Sequence, residues 1–236
     1  MLERAMNCVF DCKGVSMKIF LDTANVQEIK KWMATGIIDG VTTNPTHMRN
    51  AGSDPRKVIG EICGSLPYGV VSVEVTEVDP EAVYHQARNI ARLAENIAVK
   101  IPCDLRYYQV IRRLVQEDIQ LNITLVFTVG QGLAMCKLGV AYISPFVGRL
   151  EDAQSNAGIQ LVQDLVRMKH AYAFKTSVLA ASIRTVEQMI RVIQVGADCV
   201  TLPAGILSQA LTHHLTVSGI EKFLQDWNAL GIARFP

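Results

Sequence analysis

The sequence has almost no net charge: 23 Lys and Arg stand against 22 Asp and Glu, a formal +1 over 236 residues. No broad field draws the chain to nucleic acid or to an anionic membrane, so an anionic ligand must be gripped by a local pocket. Long hydrophobic runs are missing as well; no window reaches the roughly 18 uninterrupted apolar residues that a membrane-spanning helix needs. The six cysteines (Cys8, Cys12, Cys63, Cys103, Cys136, Cys199) form neither a CxxC pair nor a dense framework, and reduced thiols in a cytoplasmic setting are expected. Metal-ligand spacing is also lacking. His213 and His214 are adjacent while His47, His85 and His170 lie far apart, so all five are expected at the surface or in packing, with no metal site. In residues 1–16, Glu3, Arg4, Asp11 and Lys13 interrupt any apolar stretch, and no cleavage site follows one, against a secretory signal. Because Met17 directly precedes a strand-like run, residues 1–16 are expected to be a mobile N-terminal extension.

What is present is apolar bulk in alternation. Hydrophobic residues make up 50% of the chain, enough at this length for one sizeable core, which excludes a disordered or fibrous protein. From Lys18 onward, short β-rich runs alternate with helical patterns, without a Pro/Gly/Ser-rich linker between them. The strand-like runs are Lys18–Asp22, Gly40–Thr43, Val70–Val75, Ile97–Ile101, Leu121–Val126, Ala141–Ser144, Ser177–Ser182 and Cys199–Leu202. Asp54-Pro55 and Asp79-Pro80 each supply a helix cap and a first-turn proline. Near the end, Ser218 and Glu221 read as a capping box ahead of Ile220, Phe223, Leu224 and Trp227, a helix at about 218–228 beyond the eighth unit. The fold expected for residues 17–236 is a single α/β domain, a (β/α)8 barrel with an extra C-terminal helix; such barrels usually run to about 250 residues. A doubly wound sheet is the alternative. Its only Gly-rich candidate, Gly130-Gln131-Gly132, has Met135 where a third small residue belongs.

Barrel enzymes place their chemistry at the C-terminal ends of the strands, so polar residues closing apolar runs are informative. Asp22, Thr42 with Asn44, Glu74, Lys100, Asn122 with Thr124, Ser144 and Ser182 all hold such positions. Period-2 alternation puts Ser72 and Glu74 on one face against Val71, Val73 and Val75, and Asn122 and Thr124 together against Ile123 and Leu125. Lys100, in Ile97-Ala98-Val99-Lys100-Ile101-Pro102, has apolar neighbours on both sides. Burial disfavours an ammonium and favours the neutral amine that a Schiff base requires. The plain alternative is a strand-end lysine that snorkels to solvent or pairs with Glu74. Two carboxylates of differing environment, Asp22 and Glu74, can divide acid and base roles. Gly148-Arg149 and Ser182-Ile183-Arg184 offer hydroxyl, guanidinium and helix N-terminus to a phosphate; otherwise Arg149 pairs with Glu151 or Asp152 and Arg184 is solvated. Asn122-Ile123-Thr124 matches a glycosylation sequon but falls inside an expected buried strand.

The motifs FLDTA at Asp22, GVTTNPT at Asn44, SVEVT at Glu74, AVKIP at Lys100, LNITLVF at Asn122, ISPFVGRL at Phe146 and VLAASIR at Ser182 together resemble the small transaldolases and the related fructose-6-phosphate aldolases. The resemblance runs from Met17 to about Trp227. It implies a class I mechanism without metal or cofactor, in which Lys100 forms an iminium with a ketose phosphate and Asp22 moves the proton of the scissile step. It further implies that Glu74 and Thr124 hold a proton-shuttling water, that Thr42, Asn44, Asn122 and Ser144 bind the three-carbon fragment, and that Arg149, Ser182 and Arg184 hold the phosphate. Fructose-6-phosphate aldolases carry Gln and Tyr where this chain has Glu74 and Phe146, so transaldolase is preferred: transfer of a dihydroxyacetone unit from sedoheptulose 7-phosphate or fructose 6-phosphate, in the pentose phosphate pathway. The alternatives are an aldolase releasing free dihydroxyacetone and a non-enzymatic sugar-phosphate-binding barrel. The expected partners are small sugar phosphates and further copies of the chain, a decamer or pentamer by resemblance. His47-Met48-Arg49 departs from the small or apolar residues usual after the TTNPT motif, and Cys103 beside Pro102 is a second departure.

Overall fold

The apolar runs become eight strands in a computed structural model that describes residues 17–231. They are β1 (Lys18–Asp22), β2 (Gly40–Thr42), β3 (Val70–Glu74), β4 (Ile97–Pro102), β5 (Leu121–Val126), β6 (Tyr142–Pro145), β7 (Ser177–Ala180) and β8 (Cys199–Leu202). Every neighbouring pair is parallel and β8 closes onto β1, so the strands form a barrel in sequence order. The helices between them are α1 (Val26–Met33), α2 (Pro45–Ala51), α3 (Pro55–Ser65), α4 (Pro80–Ala91), α5 (Tyr108–Gln116) and α6 (Val129–Leu138). After β6 come α7 (Val147–Ala153), α8 (Ala157–Ala171), α9 (Val186–Gln194), α10 (Ala204–Leu211) and α11 (His214–Ala229). The chain is a (β/α)8 barrel with additional helices. The expected extension, residues 1–16, lies outside the described residues.

The proline-led helices start where the sequence places them. Asp79 accepts the Ala82 N–H at 3.0 Å to open α4, and Asp54 accepts the Arg56 N–H at 3.1 Å to open α3. The apolar faces of the helices, including Ile62, Val83, Ile111, Leu114 and Leu165, pack on the outward side chains of the strands, such as Val71, Val99, Ile123 and Val178. Inside the barrel a second cluster of Phe20, Ala98, Tyr142, Leu179 and Cys199 fills the N-terminal half. Phe20 meets Tyr142 edge-on at 6.2 Å, and it fits because β2 begins with glycine: a Cβ on Gly40 would stand 2.6 Å from the Phe20 ring. Two residues further along β1, β4, β6 and β8 the inward positions turn polar (Asp22, Lys100, Ser144 and Thr201), and the register sets Lys100 beside Glu74 and Asn122, and Asp22 beside Thr42.

Beyond shifts of one residue at several strand ends, three features differ from the sequence reading. The alternation in β5 breaks at Leu125, whose φ of 57° accompanies a register shift against β6; the bulge lies directly after Thr124. β7 ends at Ala180, because the chain then forms a single bridge from Ala181 to Phe146 and turns sharply at Ser182, φ 60°. The last helix begins at His214 instead of Ser218. Its cap is the His213 ring, which accepts the Leu215 N–H at 3.2 Å, while the Ser218 hydroxyl donates back to the Leu215 carbonyl as an interior helix serine does. No residue of α11 is buried. Among the described residues no helix is long and apolar enough to cross a membrane.

Candidate active site

The polar strand ends converge on the C-terminal mouth of the barrel. Lys100 is 6% exposed; its Nζ lies 3.0 Å from Glu74 Oε2 and donates to the Thr43 carbonyl at 3.2 Å. Desolvating this ammonium is costly, and the neighbouring strand's carboxylate offsets the cost. Asp22 faces the same space from β1. The Thr42 hydroxyl donates to Asp22 Oδ1 at 2.9 Å and stands 2.6 Å from the Thr201 hydroxyl. Thr42 has one proton to give, so Thr201 is the donor in that second bond and the chain of hydroxyls points at the carboxylate. His47 Nε2 lies 3.3 Å from the same Oδ1. Burial pushes the Asp22 carboxyl up, but the hydrogen bond and charge of His47, then the charge of Lys100 and the Thr42 bond, outweigh it and hold the group below its ordinary value.

Across the barrel, the Ser144 hydroxyl donates to Asn122 Oδ1 at 2.7 Å, and the Asn122 amide donates to Ser72 Oγ at 3.0 Å. This fixes which way the amide faces. Thr124 is fully buried, and its Oγ1 is the one buried side-chain polar atom without a protein partner among the described residues. Asn44 caps α2 by accepting the His47 N–H at 2.9 Å, which leaves its amide nitrogen free to donate.

At the β6 and β7 ends, the Gly148 N–H donates to the Ser182 carbonyl at 3.0 Å, and a Cβ on Gly148 would stand 2.2 Å from that oxygen. Only glycine allows the approach. The Arg149 guanidinium lies 5.1 Å over the Phe146 ring, which meets Phe127 edge-on at 6.0 Å. Arg149 pairs with neither acidic neighbour. Glu151 accepts the Asn156, Gly158 and Ile159 N–H groups at the start of α8, and Asp152 holds Arg184, with Nη1 2.6 Å from Oδ2.

One cavity of about 190 Å³ gathers Asp22, Thr42, Asn44, Lys100, Asn122, Ser144, Phe146, Arg149 and Ser182, together with Ala181 and Thr201. Glu74 touches it through Lys100 and lines a neighbouring cavity of about 310 Å³. Thr124 stays in the barrel wall, and Arg184 stands apart in its ion pair with Asp152. Two polar residues of this region were not singled out as site residues by the sequence. Thr201 was legible, since period 2 in Cys199-Val200-Thr201-Leu202 puts it inward with Cys199. His47 was set among the surface or packed histidines; instead it reaches Asp22, and only the path of the chain through α2 brings it there. Among the described residues no three His, Cys, Asp or Glu side chains converge as a metal site requires.

The sequence profile of the family described as transaldolase/fructose-6-phosphate aldolase matches residues 19–234. A probable transaldolase of Dehalococcoides mccartyi is 45% identical over 215 residues, covering 91% of this chain and 99% of that protein. A probable transaldolase of Kosmotoga olearia is 44% identical over 211 residues, covering 89% and 96%. Among solved structures, thiamine phosphate pyrophosphorylase from Pyrococcus furiosus superposes with a TM-score of 0.52 at 14% identity, over 80% of this chain and 86% of that one. A mutant flavocytochrome b2 with pyruvate bound gives 0.56 at 12% identity over 79% and 56%. Both structural likenesses speak to the barrel fold alone.

Proposed function

The chain belongs to the transaldolase/fructose-6-phosphate aldolase family, and we propose that it is a transaldolase acting through a Schiff base on Lys100. The observation that carries the reading is a buried amine, 3.0 Å from Glu74, sharing one cavity with the Asp22 carboxylate of β1. Glu74 takes a proton from Lys100, the amine adds to the carbonyl of a ketose phosphate, and loss of water leaves the iminium. Asp22 then removes the proton from the hydroxyl beyond the scissile bond. The carbon–carbon bond breaks, its electron pair passes to the iminium nitrogen, and an aldose phosphate departs. The enamine attacks the carbonyl carbon of an acceptor aldose phosphate, Asp22 returns the proton to the new hydroxyl oxygen, and water adds to the regenerated iminium to release the product ketose phosphate and free the Lys100 amine.

The remaining residues support binding. Asn44, Asn122 and Ser144, with Thr42 behind Asp22, suit the hydroxyls of a three-carbon fragment, and the unpartnered Thr124 oxygen, in register with Pro102 two residues beyond Lys100, suits a shuttling water. Arg149 and Ser182 suit the phosphate; Arg184 joins them only by leaving Asp152. Glu74 and Phe146 favour transfer over release of free dihydroxyacetone. The same reading puts the enzyme in the pentose phosphate pathway of the cytoplasm, where the free, buried Cys63, Cys103, Cys136 and Cys199 would stay reduced. It also makes the protein a homo-oligomer through α11, whose Ile220, Phe223 and Leu224 are exposed.

The test is borohydride reduction in the presence of fructose 6-phosphate. A mass adduct on Lys100, lost in Lys100→Ala together with all turnover while circular dichroism is unchanged, is expected. An active Lys100→Ala protein would overturn the mechanism.

A further inference from the structure

The two oxygens of Asp22 are treated differently. Oδ1 is engaged twice, by the Thr42 hydroxyl at 2.9 Å and by His47 Nε2 at 3.3 Å, whereas Oδ2 has no protein partner among the described residues. A carboxylate pinned through one oxygen presents the other in a fixed direction, and directional precision is what a general base needs. The pin is itself held. Asn44 accepts the His47 backbone N–H at 2.9 Å, which locks the first turn of α2 over the end of β1. His47 also borders a polar cavity of about 490 Å³ with Asn25, Asn50, Ser53, Lys57 and Glu61, separate from the one that Asp22 and Lys100 line. The charged groups facing the pair are Lys100, itself paired with Glu74, on the Asp22 side and Lys57 and Glu61 on the His47 side.

We propose that His47 is a positioning residue for carbon–carbon cleavage: its Nε2–H holds Asp22 Oδ1 so that Oδ2 is the oxygen that receives the substrate's hydroxyl proton. The idea rests on the Schiff-base reading above. A donor on a carboxylate favours its anion, so taking the donor away moves the acidic limb of the cleavage profile to higher pH. The Thr42 bond remains in either case and keeps the carboxylate in the site.

The experiment is single-turnover cleavage of fructose 6-phosphate against pH in wild type, His47→Leu and His47→Gln. Borohydride trapping on Lys100 and thermal unfolding are followed in parallel. Trapping and unfolding temperature are expected to hold in all three. In His47→Leu, cleavage at neutral pH falls about ten-fold through lost alignment, and the acidic limb moves up. His47→Gln, which keeps an N–H donor of similar reach, recovers most of the rate. Should His47→Leu unfold, His47→Ala carries the same comparison. A Leu variant with wild-type rate and limb, or a Gln variant as impaired as Leu, overturns the role of His47 alone. Failure of the wild type to trap on Lys100 overturns the Schiff-base reading and the proposal with it.

Discussion

Phe146 shows how much one ring can decide. It lines the cavity of Lys100, packs edge-on against Phe127 at 6.0 Å and carries the Arg149 guanidinium at 5.1 Å. On the proposed mechanism, an apolar ring gives little support to the water that would protonate and hydrolyse the enamine, so that intermediate is expected to wait for an aldehyde acceptor. Tyrosine would keep the stacking and add one hydroxyl. Phe146→Tyr is therefore expected to raise release of dihydroxyacetone from fructose 6-phosphate alone about five-fold, the worth of one ordinary hydrogen bond, and to slow transfer to erythrose 4-phosphate. Both rates are measured in wild type and variant. If wild type already cleaves fructose 6-phosphate as fast without acceptor as with it, the aldolase reading replaces transfer. At this scale the sequence was most informative where a residue's own strand sets its direction, as for Lys100 and Asn122, and least where a partner lies on another element, as for His47 with Asp22 and Arg184 with Asp152.

Backbones of different elements meet closely where α7 leaves β6. The Gly148 N–H bonds the Ser182 carbonyl at 3.0 Å, and Ser182 holds φ 60° to present it. A methyl group at position 148 would stand 2.2 Å from that backbone oxygen, which cannot rotate aside as a side chain can. Gly148→Ala is thus expected to cost about 1–3 kcal/mol, lowering the melting temperature by roughly 2–4 °C per kcal/mol for a chain of this size. Because Arg149 and Ser182 move with the joint, the KM for sugar phosphates should rise while borohydride trapping on Lys100 at saturating substrate persists. Calorimetry and steady-state kinetics read the two effects separately. An unchanged melting temperature would mean that the joint yields without strain. The sequence pointed to Gly148-Arg149 and Ser182 as neighbours in function; the contact between their backbones depended on where β7 stops, which no local pattern marks.

For the whole molecule, the unsettled surface is α11. Ile220, Phe223 and Leu224 are 62%, 73% and 58% exposed, and Leu215 is 64% exposed on the same helix, none of it packed under the barrel. Self-association through this stripe is expected to appear as a multimeric mass by light scattering, and Phe223→Ser with Leu224→Ser to lower that mass without loss of the barrel's far-UV signal. A monomeric wild type would reject the assembly. The sequence by itself determined the eight strands, their order and the polar residues at their ends. Period-2 alternation and Asp-Pro helix starts are local signals, and a closed parallel barrel leaves each inward position only one place to point. Tertiary structure alone decided that His47 grips Asp22, that Arg184 answers to Asp152 and not to the cavity, that β5 bulges after Thr124, and that the last helix starts a turn early and lies off its own barrel. Each of those depends on the path of the backbone between elements or on the rotamer of a long side chain, set by packing between segments distant in sequence, and neither leaves a periodic trace in the chain.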